Sequence, residues 1–236
     1  MAATSTAFVT GATEGIGRAI AFALARAGYN VGVCARNEPR VELLVTELRS
    51  LGVAAAGAGA DVSSERDVAR VIGQVVETLG PIEVLINNAG IGIVKRIEDL
   101  ELDEWDATMA TNVRSLFLTT RQVLPGMRRR RAGTIVNIAS LAGRNGFVGG
   151  TAYAASKHAV LGFSRSLMLE TRQDNIRVIA LCPGSVDTAM LMNQPLLARD
   201  ASSILQPEDV AHLVLQSLAL PVRALVSELD LRPTNP

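Results

Sequence analysis

Short apolar runs alternate with longer amphipathic ones along nearly the whole chain. Thr6–Thr10 is a short apolar run ending in a glycine turn and predicts a first strand, and the alanine-rich Gly15–Ala27 predicts a helix. Asn30–Ala35 is β-branched and predicts a second strand. Glu38–Leu51 carries Val41, Leu44, Val45, Leu48 and Leu51 at the i, i+3, i+4 spacing of one helix face. Val53–Ala58 is a weaker strand candidate, and Val68–Leu79 repeats the helical spacing. Ile82–Asn87 reads as a buried strand, Asp103–Arg131 as one long helix, Thr134–Ala139 as a strand and Thr151–Arg172 as a helix. Arg177–Cys182 (strand), Pro207–Leu218 (helix) and Ala224–Leu231 (strand) complete the pattern.

This strand–helix repetition, with near-continuous apolar strands, predicts an α/β fold. It implies a doubly wound parallel sheet of about seven strands with helices on both faces. In such a sheet the ligand lies beyond the carboxyl ends of the strands. Residues just after strands are therefore the ones to inspect.

Composition narrows the chemistry. The chain has 236 residues, so a single domain spanning 1–236 is expected. Its 23 basic and 23 acidic residues balance, which argues against a dedicated nucleic-acid binder. No apolar run approaches the ~20 residues that cross a bilayer. The first basic residue is Arg18, so the start lacks the basic region of a secretion signal, and a cytoplasmic protein is expected. Cys34 and Cys182 end apolar runs and read as buried thiols. His158 and His212 are the only histidines and have no metal partners at short spacing, so no metal is expected. Acid–base chemistry here must work without histidine, and His158 itself is expected to pack or to contact another subunit.

The first strand runs into Thr10-Gly11-Ala12-Thr13-Glu14-Gly15-Ile16-Gly17. Three glycines there allow a tight turn and close backbone approach to a diphosphate, at the positive end of the following helix. Further on stands Tyr153-Ala154-Ala155-Ser156-Lys157, whose Tyr153 and Lys157 share a helix face one turn apart. An ammonium beside a phenol favours the phenolate and lowers its pKa from ~10 toward neutrality. Ser140, at the end of the strand Thr134–Ala139, offers a hydroxyl to a carbonyl oxygen at the same sheet edge.

Together with Asn87-Asn88-Ala89-Gly90, Asn112 on the long helix, and Pro183, Gly184, Val186 and Thr188, these motifs resemble the short-chain dehydrogenase/reductase family. The likeness spans residues 6–188 in family order and implies a Rossmann-type sheet. It further implies an enzyme that interconverts a ketone or aldehyde and an alcohol by direct hydride transfer. In that scheme Tyr153 is the general acid or base, and Lys157 tunes it and holds the nicotinamide ribose. Ser140 polarises the substrate carbonyl, and Asn112 holds a water that links Lys157 to solvent. The resemblance also implies cofactor contacts from Gly11, Thr13, Glu14, Gly15, Ile16 and Gly17, from Asp61 and Val62, and from Asn88, Ala89 and Gly90. Pro183, Gly184, Val186 and Thr188 are assigned the carboxamide end, and family members are commonly tetramers or dimers.

Ala35 leaves room for a ribose 2′-phosphate and Arg36 suits it, which favours NADP(H) over NAD(H). Glu14 opposes a phosphate unless it pairs with Arg36. Ile91, Val94, Leu141, Phe147, Met190, Leu191 and Met192 are expected to wall an apolar, moderately sized carbonyl site, with 189–204 as a lid. Arg144 is either a partner for an anionic substrate or a solvated loop residue. The basic run Arg128–Arg131 either complements the helix dipole or docks an acidic acyl carrier protein. The latter is the 3-oxoacyl carrier-protein reductase alternative, and the ending Arg232-Pro233-Thr234 resembles short-chain alcohol and hydroxy-acid dehydrogenases instead. A reading from another class is a non-catalytic dinucleotide sensor; retention of Asn112, Ser140, Tyr153 and Lys157 disfavours it.

Overall fold

Seven strands form one sheet in the order β3-β2-β1-β4-β5-β6-β7, every neighbouring pair parallel. The computed structural model describes residues 5–192 and 203–234. The strands are β1 (Thr6–Thr10), β2 (Asn30–Ala35), β3 (Ala55–Gly59), β4 (Ile82–Asn87), β5 (Gly133–Ile138), β6 (Ile176–Pro183) and β7 (Glu228–Leu231). The helices are α1 (Gly15–Arg26), α2 (Glu38–Arg49), α3 (Glu65–Leu79), α4 (Leu102–Met109), α5 (Ser115–Arg130), α6 (Thr151–Thr171), α7 (Ala189–Met192) and α8 (Pro207–Leu218).

Strands buried on both faces explain the unbroken apolar runs. One core cluster joins Val9, Val33, Ile86 and Ile179 to Ile20 and Leu24 of α1, Leu44 of α2 and Val214 of α8. A second joins Phe8, Leu85 and Ile135 to Val71 of α3, Met127 of α5 and Leu167 of α6. Strand order reverses between β1 and β4, so a crevice opens there at the carboxyl edge of the sheet. Among the described residues no helix is long and apolar enough to cross a membrane.

The expected long helix Asp103–Arg131 is present as a helical run from Leu102 to Arg130, with one irregular turn inside it. Between α4 and α5 the chain makes a π-helical turn, Ala110–Arg114, around the buried Asn112. The Asn112 amide explains that turn: Nδ2 donates to the Ile91 carbonyl at 2.9 Å, and Oδ1 accepts from the Ile91 N–H at 2.8 Å. Widening one turn lets a side chain leave the helical stack to make those bonds. The last strand is also shorter than its apolar pattern suggested, beginning at Glu228 rather than Ala224.

The basic run sits at the end of α5, where cations complement a helix C-terminus. Arg128 pairs with Asp174 at 3.1 Å, Arg130 donates to the Ile82 carbonyl at 2.7 Å and Arg131 to the Gln173 carbonyl at 2.7 Å. Ile82 begins β4, so within one subunit the run lies at the sheet edge opposite the crevice. It cannot line the mouth of its own subunit's site.

Candidate active site

The glycine loop is built by contacts between two strand ends. Gly11 has φ +63°, a left-handed conformation, and a Cβ added there would meet the Ala89 Cα at 2.8 Å. A Cβ on Gly17 would lie 2.3 Å from the Gly11 carbonyl oxygen and 2.4 Å from Asn88 Nδ2. Only glycine tolerates either position. Thr10, a residue whose role the sequence did not disclose, ties the loop to β4. Its hydroxyl accepts the N–H groups of both Asn88 and Ala89 at 3.0 Å. Asn88 Nδ2 in turn donates to the carbonyls of Thr10 and Gly11 at 2.9 and 3.1 Å.

No side chain caps the start of α1, because Glu14 at the N-cap makes no capping bond. The first N–H groups of the helix therefore point outward without a protein side-chain acceptor. Uncapped donors, a positive dipole end and close-packed glycines fit a diphosphate. Glu14 reaches Arg40 at 3.3 Å rather than Arg36, and Arg36 is exposed just past the end of β2. Asp61 is exposed and its Oδ1 accepts from the Ser63 N–H at 2.9 Å, while Val62 is buried beside it. Thr188 packs against the glycine loop, 3.1 Å from where a Gly15 Cβ would stand.

Ser140, Tyr153 and Lys157 meet beside this crevice. Ser140 caps a short 3₁₀ turn, Leu141–Gly143, through the Ala142 N–H at 3.1 Å. Tyr153 and Lys157 stand one turn apart on α6, with Nζ 5.7 Å from the phenol ring centroid. Nζ donates to the Ile138 carbonyl at 2.8 Å, at the end of β5. Burial lowers the Lys157 ammonium from its ordinary 10.5 to about 8. Burial also pushes the Tyr153 phenol up, and its hydrogen bond with Ser140 pulls the other way. Lys157 Nζ thus stands near the phenol with one of its donors on a backbone carbonyl.

Asn112 Nδ2 also reaches Ser156 Oγ, 3.0 Å away. A Cβ at Gly90 would stand 3.2 Å from Asn112 Oδ1 and 3.7 Å from Lys157 Nζ, so the space left by that glycine adjoins both. Behind the site runs a polar chain that the sequence did not reveal as a network. Asn87 Nδ2 donates to Asn137 Oδ1 at 2.9 Å, Asn137 Nδ2 to Ser164 Oγ at 2.9 Å, and Thr119 Oγ1 to Asn87 Oδ1 at 2.6 Å. An asparagine inside the apolar strand Thr-Ile-Val-Asn-Ile was its only signal.

The short chain dehydrogenase pattern matches residues 5–196. The chain belongs to the short-chain dehydrogenase family. A putative ketoacyl reductase of Streptomyces coelicolor is 44% identical over 186 residues, 78% of this chain and 71% of that relative. A D-β-hydroxybutyrate dehydrogenase of Cupriavidus necator is 38% identical over 189 residues, 80% of this chain and 73% of that relative. A single-site variant of the actinorhodin polyketide ketoreductase, solved with NADPH, superposes with TM-score 0.90 at 35% identity, covering 98% of this chain and 96% of that one. The alcohol dehydrogenase of the archaeon Thermococcus sibiricus, solved with 5-hydroxy-NADP, gives 0.91 at 31% identity, covering 99% and 98%. This short-chain dehydrogenase is thus an oxidoreductase on a Rossmann-type sheet.

The walls foreseen for its substrate separate in space. Met190 lies by Gly92 and Tyr153, and the Phe147 ring meets Tyr153 edge-on at 6.4 Å. Leu141 packs by Gly184 and Val94 by Gly149. Met192 instead borders a cleft with Glu14, Phe22 and Thr188. Of the expected lid 189–204, residues 193–202 lie outside the described residues. Arg144 pairs with Glu228 at 2.8 Å and Asp230 at 2.6 Å, so neither of its expected roles describes it. His158 is exposed and bonds its own helix at Ala154. Both cysteines are buried, and burial pushes Cys34 up to about 12. Among the described residues no three His, Cys, Asp or Glu side chains group as metal ligands.

Proposed function

We propose that this short-chain dehydrogenase is an NADP(H)-dependent carbonyl reductase of apolar ketones, with residues 1–236 acting as one cofactor-and-catalysis domain. The observation that carries the reading is the convergence of Ser140, Tyr153 and Lys157 beside a glycine loop whose helix start has no side-chain cap. A bound nicotinamide dinucleotide supplies the hydride. Gly11, Thr13, Glu14, Gly15, Ile16 and Gly17 hold its diphosphate, and Arg36 reads the 2′-phosphate. Asp61 and Val62 border the adenine, and Asn88, Ala89 and Gly90 its ribose side. Tyr153 and Lys157 hold the nicotinamide ribose, and Pro183, Gly184, Val186 and Thr188 the carboxamide. Two structural neighbours with NADP-type ligands support the cofactor choice.

In reduction, Ser140 hydrogen-bonds the carbonyl oxygen and the Tyr153 phenol gives it a proton. Burial keeps that phenol protonated at neutral pH, the form a general acid requires. Lys157 faces the resulting phenolate, and a proton returns by way of the space between Asn112 and Lys157. Relatives named for ketoacyl and hydroxybutyrate substrates favour a ketone within an acyl chain. Half-exposed Phe117 on α5 and Leu169 on α6 support a homodimer or tetramer, and we place the enzyme in the cytoplasm.

The test is a panel of ketones, aldehydes and an acetoacetyl thioester, followed by nicotinamide absorbance with NADPH and with NADH. Turnover with NADPH, lowered at least ~100-fold by Tyr153→Phe, is expected. Parent-like turnover by Tyr153→Phe, or a lower KM for NADH, overturns the corresponding part of the reading.

A further inference from the structure

The last strand, β7, contributes no side chain to the Ser140, Tyr153 and Lys157 cluster, yet it holds the site at both edges. Its sequence is Glu-Leu-Asp-Leu, and strand alternation sends Glu228 and Asp230 to one face and Leu229 and Leu231 to the other. The leucines join the core on the α1 and α8 side. The acids meet Arg144, which follows the 3₁₀ turn begun by Ser140. The guanidinium forks, with Nε on Asp230 at 2.6 Å and an Nη on Glu228 at 2.8 Å. Glu228 also takes Arg165 of α6 at 2.5 Å, and Asp230 takes Arg232 at 3.3 Å.

Arg144 and Glu228 are each about a quarter exposed or less, unlike most ion pairs of this protein. The hydrogen bond to Arg165, and then that to Arg144, holds the Glu228 carboxyl below its ordinary range despite burial. Arg144 is tied by its backbone to the Ser140 turn, since its N–H donates to the Leu141 carbonyl at 3.0 Å. The same turn is wedged against α6 at Lys157: a Cβ on Gly143 would meet the Lys157 carbonyl oxygen at 2.7 Å. On the other flank, the Leu231 carbonyl of β7 accepts the Gly184 N–H at 2.8 Å. One short strand therefore grips the Ser140 turn through charge and the Pro183-Gly184 loop through its backbone.

We propose that Arg144 is a positioning residue, which fixes Ser140 against Tyr153 by anchoring the Ser140 turn to Glu228 and Asp230 of β7. The proposal rests on the carbonyl-reductase reading above. Arg144 touches neither substrate nor cofactor in this scheme, and it acts only through the placement of the Ser140 hydroxyl. Cutting both arms of the fork frees the turn at one end and leaves the glycine loop untouched.

The experiment is a double-mutant cycle on the purified full chain, reading kcat and KM on the ketone panel with NADPH, NADPH affinity and thermal unfolding. Arg144→Met is expected to lower kcat about 10- to 100-fold with NADPH affinity within about twofold, the size of a small misplacement at a reacting group. In a Ser140→Ala background the same change is expected to cost no further kcat, because the hydroxyl it positions is gone. Arg144→Lys, which can reach one carboxylate at a time, recovers part of the loss. An equal fold-loss in both backgrounds, or an Arg144→Met enzyme as fast as the parent, overturns the proposal. If Arg144→Met does not fold, Asp230→Asn and Glu228→Gln, each removing one arm, are judged by the same dependence on Ser140. Tyr153→Phe run alongside separates the failures. A fully active Tyr153→Phe overturns the underlying mechanism and the proposal with it, whereas an inactive Tyr153→Phe with a parent-like Arg144→Met overturns the proposal alone.

Discussion

Replacing Lys157 by Met measures what the fold gives up to keep an ammonium beside Tyr153. The side chain is 5% exposed, and burial takes it from 10.5 to about 8. That interval corresponds to roughly 3 kcal/mol, at ~1.36 kcal/mol per pH unit. The sign follows from proton counting. Between about pH 8 and about pH 10.5 the unfolded chain keeps its Lys157 proton while the folded chain has released it, so stability rises with pH across that window. Below about pH 8 both states carry the proton and the full desolvation cost is present. Met removes that cost but leaves the Ile138 carbonyl without its donor, a loss of about 1–3 kcal/mol. At neutral pH the two effects nearly cancel, and the pH trend is decisive. Urea unfolding of parent and variant from about pH 7 to about pH 10.5 should show the parent gaining roughly 3 kcal/mol on the variant. All other titrating groups are common to both and drop out of the difference. Parallel stability curves refute the reasoning, because they mean that the ammonium is not desolvated in the native state.

Three further outcomes are expected. Asn137→Ala, at a fully buried position, leaves the Asn87 amide and the Ser164 hydroxyl short of a partner and should cost about 1–3 kcal/mol in urea titration; near-parent stability contradicts the network. Arg36→Ala should raise KM for NADPH about tenfold or more and leave that for NADH unchanged, and an equal effect on both removes Arg36 from the 2′-phosphate. Because burial raises the Tyr153 phenol, alcohol oxidation, which needs the phenolate, should climb with pH into the alkaline range while ketone reduction persists at neutral pH; an oxidation rate that falls above neutrality contradicts this.

The sheet, the helix faces and the glycine loop were legible because each is a local pattern. Val41, Leu44, Val45 and Leu48 did become the buried face of α2. The widened turn inside Asp103–Arg131 was not legible because its cause is not local: Asn112 bonds Ile91, 21 residues away. Ala224–Leu231 was drawn too long because apolar content cannot say where pairing to β6 starts, which is at Glu228. Arg40 as the partner of Glu14, and Thr10 as the acceptor for Asn88 and Ala89, follow from strand order rather than from any spacing. The candidate site residues were found by motif. The bond from Lys157 to the Ile138 carbonyl was not, because it depends on where β5 ends.

The clasp between Thr10 and Asn88 has a consequence for how the molecule assembles. It joins positions 78 residues apart, and β1 lies between β2 and β4 in the sheet. A nascent chain that has emerged only through β3 therefore has the glycine loop in its sequence but no scaffold to shape it, and its first strand still offers an unpaired edge. Nucleotide affinity is acquired when β4 docks, in a single long-range closure rather than gradually with length. The dinucleotide is then a ligand of the completed half-sheet and stabilises only chains that have passed that point.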